Sequence, residues 1–144
     1  MNKVSIILQQ KAGAVFTLSK KDTVKTALEI MRDENIGSVL ITENKKLIGI
    51  FTERDYARKV AFMNGRNEDI VLDAVMSTDM ITVSPEHSAN DCMTMMTERR
   101  VRHLPVMEGD TIVGVLSIGD VVKDIIGELE FLCVQLENYI QGLR

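Results

Sequence analysis

Two hydroxyl–carboxylate pairs stand out for their chemistry, Thr52 with Asp55 in GIFTERD and Ser117 with Asp120 in GVLSIGD. In each, an apolar run ends on a hydroxyl residue and a carboxylate follows three positions later. A hydroxyl and free backbone amides at a helix start can hold a phosphate, and an adjacent carboxylate can accept hydrogen bonds from ribose hydroxyls. The same spacing also fits a reciprocal capping box, with Asp in place of the usual Glu or Gln. Local sequence leaves both readings open. Neither GxGxxG nor GxxxxGK[ST] occurs, so a Rossmann fingerprint and a P-loop are both excluded.

Both pairs belong to a longer repeat. Residues 15–61 recur without a gap 65 positions later: Thr17 falls on Thr82, Ser19 on Ser84, Met31 on Met96, Gly49 on Gly114 and Asp55 on Asp120. Apolar character is kept at Ile36 and Val101, Ile41 and Val106, and Ile50 and Val115. One architectural unit therefore occurs twice, and the space between the copies is the natural ligand site.

Each copy reads as helix, strand, turn, strand, helix. In the first, Val24, Ala27, Leu28 and Met31 fall on one face of a helix over about residues 23–34. The β-branched runs 37–41 and 47–51 form a hairpin, and helix resumes from Thr52 with Tyr56, Ala57, Val60 and Ala61 inward. In the second, Ser84 and Pro85 read as an N-cap and first helical residue, with Ala89, Cys92, Met93 and Met96 buried. Strands over 103–107 and 112–116 follow. Residues 69–76 between the copies suggest a short helix. After the second copy, Val122, Ile125, Leu129, Leu132, Leu136, Tyr139 and Leu143 form a heptad seam, suited either to packing in cis or to a dimer contact.

The 144 residues, 45% hydrophobic and 26% charged, suit one compact domain in which either copy alone would be marginal. A net charge of −4 opposes the counterion-release contribution to nucleic-acid binding, so no nucleic-acid partner is expected. No run approaches the roughly 20 apolar residues of a membrane span. The N-terminus lacks a small-residue cleavage site, and Cys92 and Cys133 lack CxxC spacing and read as buried thiols, so a reducing cytoplasmic location is expected. Two separated histidines, no metal-ligand spacing and no nucleophile with an evident base argue against an enzyme and against a metal site. His87 reads as a surface residue.

The duplicated pattern, with GIFTERD and GVLSIGD closing the hairpins and RVRHLPV opening the second, resembles a tandem pair of CBS domains, and most of all the small stand-alone type carrying TERDYARK. The resemblance implies an α+β fold of two β-α-β-β-α modules with pseudo-twofold symmetry plus a long C-terminal helix. The corresponding divisions are 1–68, 69–127 and 128–144. It also implies a regulatory module that binds an adenine nucleotide, AMP in preference to ATP, ADP or NAD, and that forms a homodimer. Asp55 with Thr52 and Asp120 with Ser117 would hold ribose or phosphate. Thr17, Ile36, Thr82 and Val101 would lie near the base.

The copies differ where phosphates would sit. Gly37 and Ser38 become Arg102 and His103, while Arg54 becomes Gly119. Guanidinium groups favour planar phosphate contacts, so the clefts are expected to be unequal, the tighter one lined by Arg54 or by Arg102 and His103. The competing expectation is an interaction scaffold that dimerises through the C-terminal helix and whose clefts are vestigial.

Overall fold

The computed structural model describes residues 2–11 and 13–143. A short helix α1 (Val4–Gln10) leads into the first module: β1 (Thr17–Leu18), α2 (Val24–Asp33), β2 (Ser38–Glu43), β3 (Lys46–Thr52) and α3 (Glu53–Arg58). The 3-10 turns Val60–Phe62 and Leu72–Ala74 lead to the second, made of α4 (Ala89–Arg99), β4 (His103–Glu108), β5 (Thr111–Ser117) and the long α5 (Ile118–Gly142). The architecture is α+β, as expected.

In the first module β1 runs parallel to β2, and β2 pairs antiparallel with β3. The second repeats this with β4 against β5, its first strand reduced to a parallel bridge between Val83 and Val106. Both hairpins carry a register shift at equivalent places, after Ile41 and after Val106. Thr23 caps α2 by accepting from the Thr26 N–H. Its counterpart Ser88 caps α4 in a full capping box with Asp91.

That placement corrects the expected N-cap at Ser84. The Ser84 hydroxyl accepts from the Glu86 N–H, while His87 Nδ1 accepts from the Ser84 N–H at 2.9 Å, so Ser84 and Pro85 build a turn before the helix. His87 is consequently half-buried. Residues 69–76 form one 3-10 turn, Leu72–Ala74, in place of a helix. Ala57 and Ala61 are exposed, and the inward positions there are Asp55 and Val60. Cys92 is buried, with burial pushing its thiol up to about 11. Cys133 is exposed, contrary to expectation, because α5 has outrun the body of the molecule by then.

Each module has its own apolar core, and each core is completed by the segment that precedes the other module. Val4 and Ile7 of α1 pack among Val83, Cys92, Leu104 and Val121 of the second module. Ile70, Leu72 and Val75 of the linker pack among Val24, Val39 and Phe51 of the first. The hydrogen bonds repeat as well. The Val4 and Ser5 N–H groups donate to His87 and Pro85 carbonyls, and the Leu72 and Asp73 N–H groups donate to Asp22 and Lys20. The glycines on β3 and β5 admit these segments: a Cβ at Gly49 would stand 2.6 Å from Met76 Sδ, and one at Gly114 would stand 2.7 Å from Leu8 Cδ2. Packing therefore crosses the divisions at 68 and 69.

From Leu129 onward the large apolar residues of α5 are exposed, Leu129 at 56%, Leu136 at 61% and Leu143 at 69%. Of the heptad positions, Ile125 packs on the second core. Phe51 is fully buried at the centre of the first. Phe51→Ala should lower unfolding stability by about 3–5 kcal/mol, read from the midpoint of urea denaturation.

Candidate functional site

Both hydroxyl–carboxylate pairs fold as complete capping boxes. Thr52 Oγ1 accepts from the Asp55 N–H while the Asp55 carboxylate accepts from the Thr52 N–H at 2.9 Å. Ser117 and Asp120 repeat this at the start of α5, with the Ser117 N–H 2.8 Å from Asp120 Oδ2. The carbonyls of Gly37 and Arg102 take the next donors, the N–H groups of Glu53 and Ile118. The two sites are built alike up to this point and then diverge.

Asp55 is saturated. Its Oδ2 serves Thr52, through the amide and through the hydroxyl at 3.1 Å, and its Oδ1 accepts from the Ser77 hydroxyl at 2.7 Å and pairs with Lys59 at 3.2 Å. The carboxylate is buried. Ser77 is held there by reciprocal backbone bonds with Ile50. Arg54 adds a strap across the modules by donating from its guanidinium to the carbonyl of Arg100, the left-handed residue that ends α4. Gly119, the counterpart of Arg54, provides no such strap beside Asp120.

Asp120 keeps one oxygen available. Its Oδ2 accepts from Ser117 and from Lys11 Nζ, the latter at 2.8 Å, whereas Oδ1 accepts no hydrogen bond among the described residues. A cavity of about 370 Å³ opens beside it. One wall comes from the first module through Ile36, Gly37 and Ser38, the other from the second through His103, Ser117 and Asp120. The volume falls within the range of small-molecule sites.

Of the expected site residues, Ile36, His103, Ser117 and Asp120 meet in this cleft. Thr52, Arg54 and Asp55 stand at the equivalent place in the first copy and line neither this cleft nor the groove beside it. Thr17 pairs with Leu40 in β1 and is exposed, its neighbour Phe16 lining the cleft in its place. Thr82 is exposed beside the Val83 bridge, and Val101 packs on the second core. Arg102 is exposed and stands outside the cleft lining.

Sequence reasoning missed Leu8, Lys11 and the 13–16 stretch, all of which line the cleft. Leu8, Lys11, Gly13 and Ala14 precede the repeat at its 65-residue offset, and Val15 and Phe16 open it. A signal exists at an offset of 68, where Val4, Ile7 and Leu8 match Leu72, Val75 and Met76 in burial or packing role. Among the described residues no group of His, Cys, Asp and Glu could hold a metal ion. No helix there is long and apolar enough to cross a membrane.

Burial pushes the His103 imidazole below its ordinary value of 6.5; Glu53 and Asp120 oppose this, while Lys11 and Arg102 reinforce it. Burial works in the opposite sense on Asp120, but the hydrogen bonds from Lys11 and Ser117 outweigh it and hold the carboxyl below 3.8. Both native-state groups bind protons less readily than their unfolded counterparts. Stability is therefore lost as pH falls from 6.5 through the His103 value, and again below 3.8. His103→Gln should flatten the upper of these steps in urea midpoints measured across that range; an unaltered step would refute the assignment.

The CBS domain family profile matches residues 13–61 and 70–127. The chain is 36% identical over 135 residues to the CBS domain-containing protein CBSX3, mitochondrial, of Arabidopsis thaliana, covering 90% of this chain and 66%, about two thirds, of that protein's length. A protein with CBS domains from Burkholderia ambifaria MC40-6 superposes with a TM-score of 0.84 at 37% identity, over 88% of this chain and 95% of that one. The CBS domain pair of MJ0100, solved in complex with 5′-methylthioadenosine and S-adenosyl-L-methionine, shares the fold at a TM-score of 0.77 and 20% identity, over 89% of this chain and 98% of that one. With two profile matches falling on two equivalent modules, the chain belongs to the CBS domain family as a tandem pair.

Proposed function

We propose that the chain is a non-catalytic regulatory module that binds an adenine nucleotide, AMP in preference to ATP, ADP or NAD, in the cleft beside Asp120. The observation that carries this reading is that Asp120, whose Oδ1 accepts no hydrogen bond among the described residues, lines a cavity walled by both modules. Ribose hydroxyls are donors suited to that oxygen. Ile36 and Val113 offer apolar surface for a base. The adenosine-containing ligands of MJ0100 agree with this class.

A ligand that touches both walls favours the arrangement in which they stand at that separation. Regulation of a partner, or of the module's own assembly, follows if the ligand binds two arrangements with different affinity. In the arrangement seen here the corresponding residues of the second cleft are engaged, Asp55 with Thr52, Ser77 and Lys59 and Arg54 with the Arg100 carbonyl. Its participation would require those contacts to open.

Assembly is proposed to be a homodimer through α5. Leu129, Leu132, Leu136 and Tyr139 are each about half exposed or more, at heptad spacing, on a helix whose far half is exposed along its length. The scaffold reading draws on this same surface and differs only in leaving the cleft empty.

Calorimetry with AMP, ATP and NAD separates the two. Asp120→Ala should weaken AMP binding by about 10-fold to 100-fold, the worth of a charged hydrogen bond. Asp55→Ala should leave that affinity in place and lower stability instead, because its carboxylate is spent on internal partners. Equal affinity in wild type and Asp120→Ala would sink the ribose assignment. A chain ending at Glu128 should run as a monomer in light scattering and still bind AMP; a persistent dimer would exclude the α5 contact.

A further inference from the structure

The positive charge in the open cleft comes from outside both repeated modules. Lys11, at the C-terminal end of α1, places its ammonium 2.8 Å from Asp120 Oδ2 and 2.8 Å from the Val115 carbonyl. An ammonium has three protons, and these two bonds leave one to offer. Lys11 and Asp120 also line a second cavity of about 800 Å³ between α1 and α5, so their ion pair stands where the cleft meets this groove. A group leaving the cleft past Asp120 must pass the ammonium.

Among the described residues, neither space carries an excess of positive charge. In the cleft, Lys11 faces Glu34 and Asp120, one positive charge against two negative. In the groove, Lys11 and Lys123 face Asp120, Asp124 and Glu128 among the described residues. His103 is half-buried and held toward its neutral form. Arg54 is engaged with Arg100, and Arg102 stands outside the lining. A first phosphate beside the ribose meets one ammonium, and every further phosphate meets carboxylates.

Resting on the nucleotide reading above, we propose that Lys11 is the specificity-determining residue of the cleft: it recognises a single phosphate on an adenosine derivative, and the surrounding carboxylates reject di- and triphosphates. A purely structural role for the ion pair, pinning α1, is the competing account. It is not needed for that purpose. Val4 and Ile7 already lie in the second core, and the Val4 and Ser5 amides are bonded to His87 and Pro85. Lysine's flexible stem lets the ammonium follow a phosphate while the helix stays in place.

The test compares adenosine, AMP and magnesium-free ATP by calorimetry on wild type, Lys11→Met and Lys11→Arg. Wild type should bind AMP at least about tenfold more tightly than adenosine, the worth of one charge-assisted bond, and should bind ATP no more tightly than AMP. Lys11→Met should erase the advantage of AMP over adenosine, and Lys11→Arg should retain it. On the unmodified protein, raising KCl should weaken AMP while leaving adenosine unchanged, which reads the same contact without depending on how any variant folds. An AMP-to-adenosine ratio untouched by Lys11→Met or by salt, or ATP binding more tightly than AMP, overturns the role of Lys11 alone. Failure of all three ligands to bind wild type overturns the nucleotide reading, and this one with it.

Discussion

Each half of the molecule depends on a segment that arrives ahead of the other half. α1 precedes the first module and fills the core of the second; the 70–76 segment precedes the second and fills the core of the first. Val4 and Leu72, both fully buried, occupy equivalent seats, and the amides on either side of them make equivalent bonds. Such burial removes apolar surface that a short two- or three-stranded sheet could not cover alone. The relative placement of the modules follows, because each is tied to the other by chain and by core. The cleft exists only as a product of that placement, since one wall belongs to each module.

Pseudo-symmetry then sets up two carboxylates in identical capping boxes, and the flanking charges make them different. One turn along each helix the copies hold Lys59 and Asp124, and in the leading segments they hold Asp79 and Lys11. Base and acid have exchanged places. Asp55 draws its cation from its own helix, four residues on, and is sealed with help from Ser77. Asp120 finds an acid at that position and draws its cation from α1. An internal i,i+4 partner closes a site onto itself, whereas a partner reaching in from another element leaves a face of the carboxylate open.

Much of this was legible in the sequence. The two copies, their hairpins, the helix faces around Val24, Ala27 and Met31, and the paired motifs at Asp55 and Asp120 all follow from periodicity and identity at one offset. The leading segments were not legible, because three extra residues shift their register from 65 to 68, and VSIIL and LDAVM share a burial pattern and apolar positions but no identical residue. Ser84 and Pro85 looked like a helix start by residue type alone; the tertiary bridge between Lys3 and Ser88 instead accompanies a start four residues later. Arg54 and Arg102 were sensible phosphate ligands by composition. Their orientation is decided by neighbours in space, the Arg100 carbonyl for one and open solvent for the other. Lys11 carried no local signal, because its meaning lies in Asp120, far along the chain.

The exchange of leading segments also fixes an order of events in synthesis. Asn2 bonds Asp124 across 122 positions, so α1 leaves the ribosome long before its seat has been made. A seven-residue helix cannot hold itself together in water meanwhile. The first module can close as soon as the 70–76 segment has emerged, whereas the second must wait for α1, made well before it, to return. Loop closure of that span makes the last docking step slow. Until it happens, the apolar seat on the second module lies open to the α1 of any neighbouring chain, so crowded nascent chains are prone to trade their first helices.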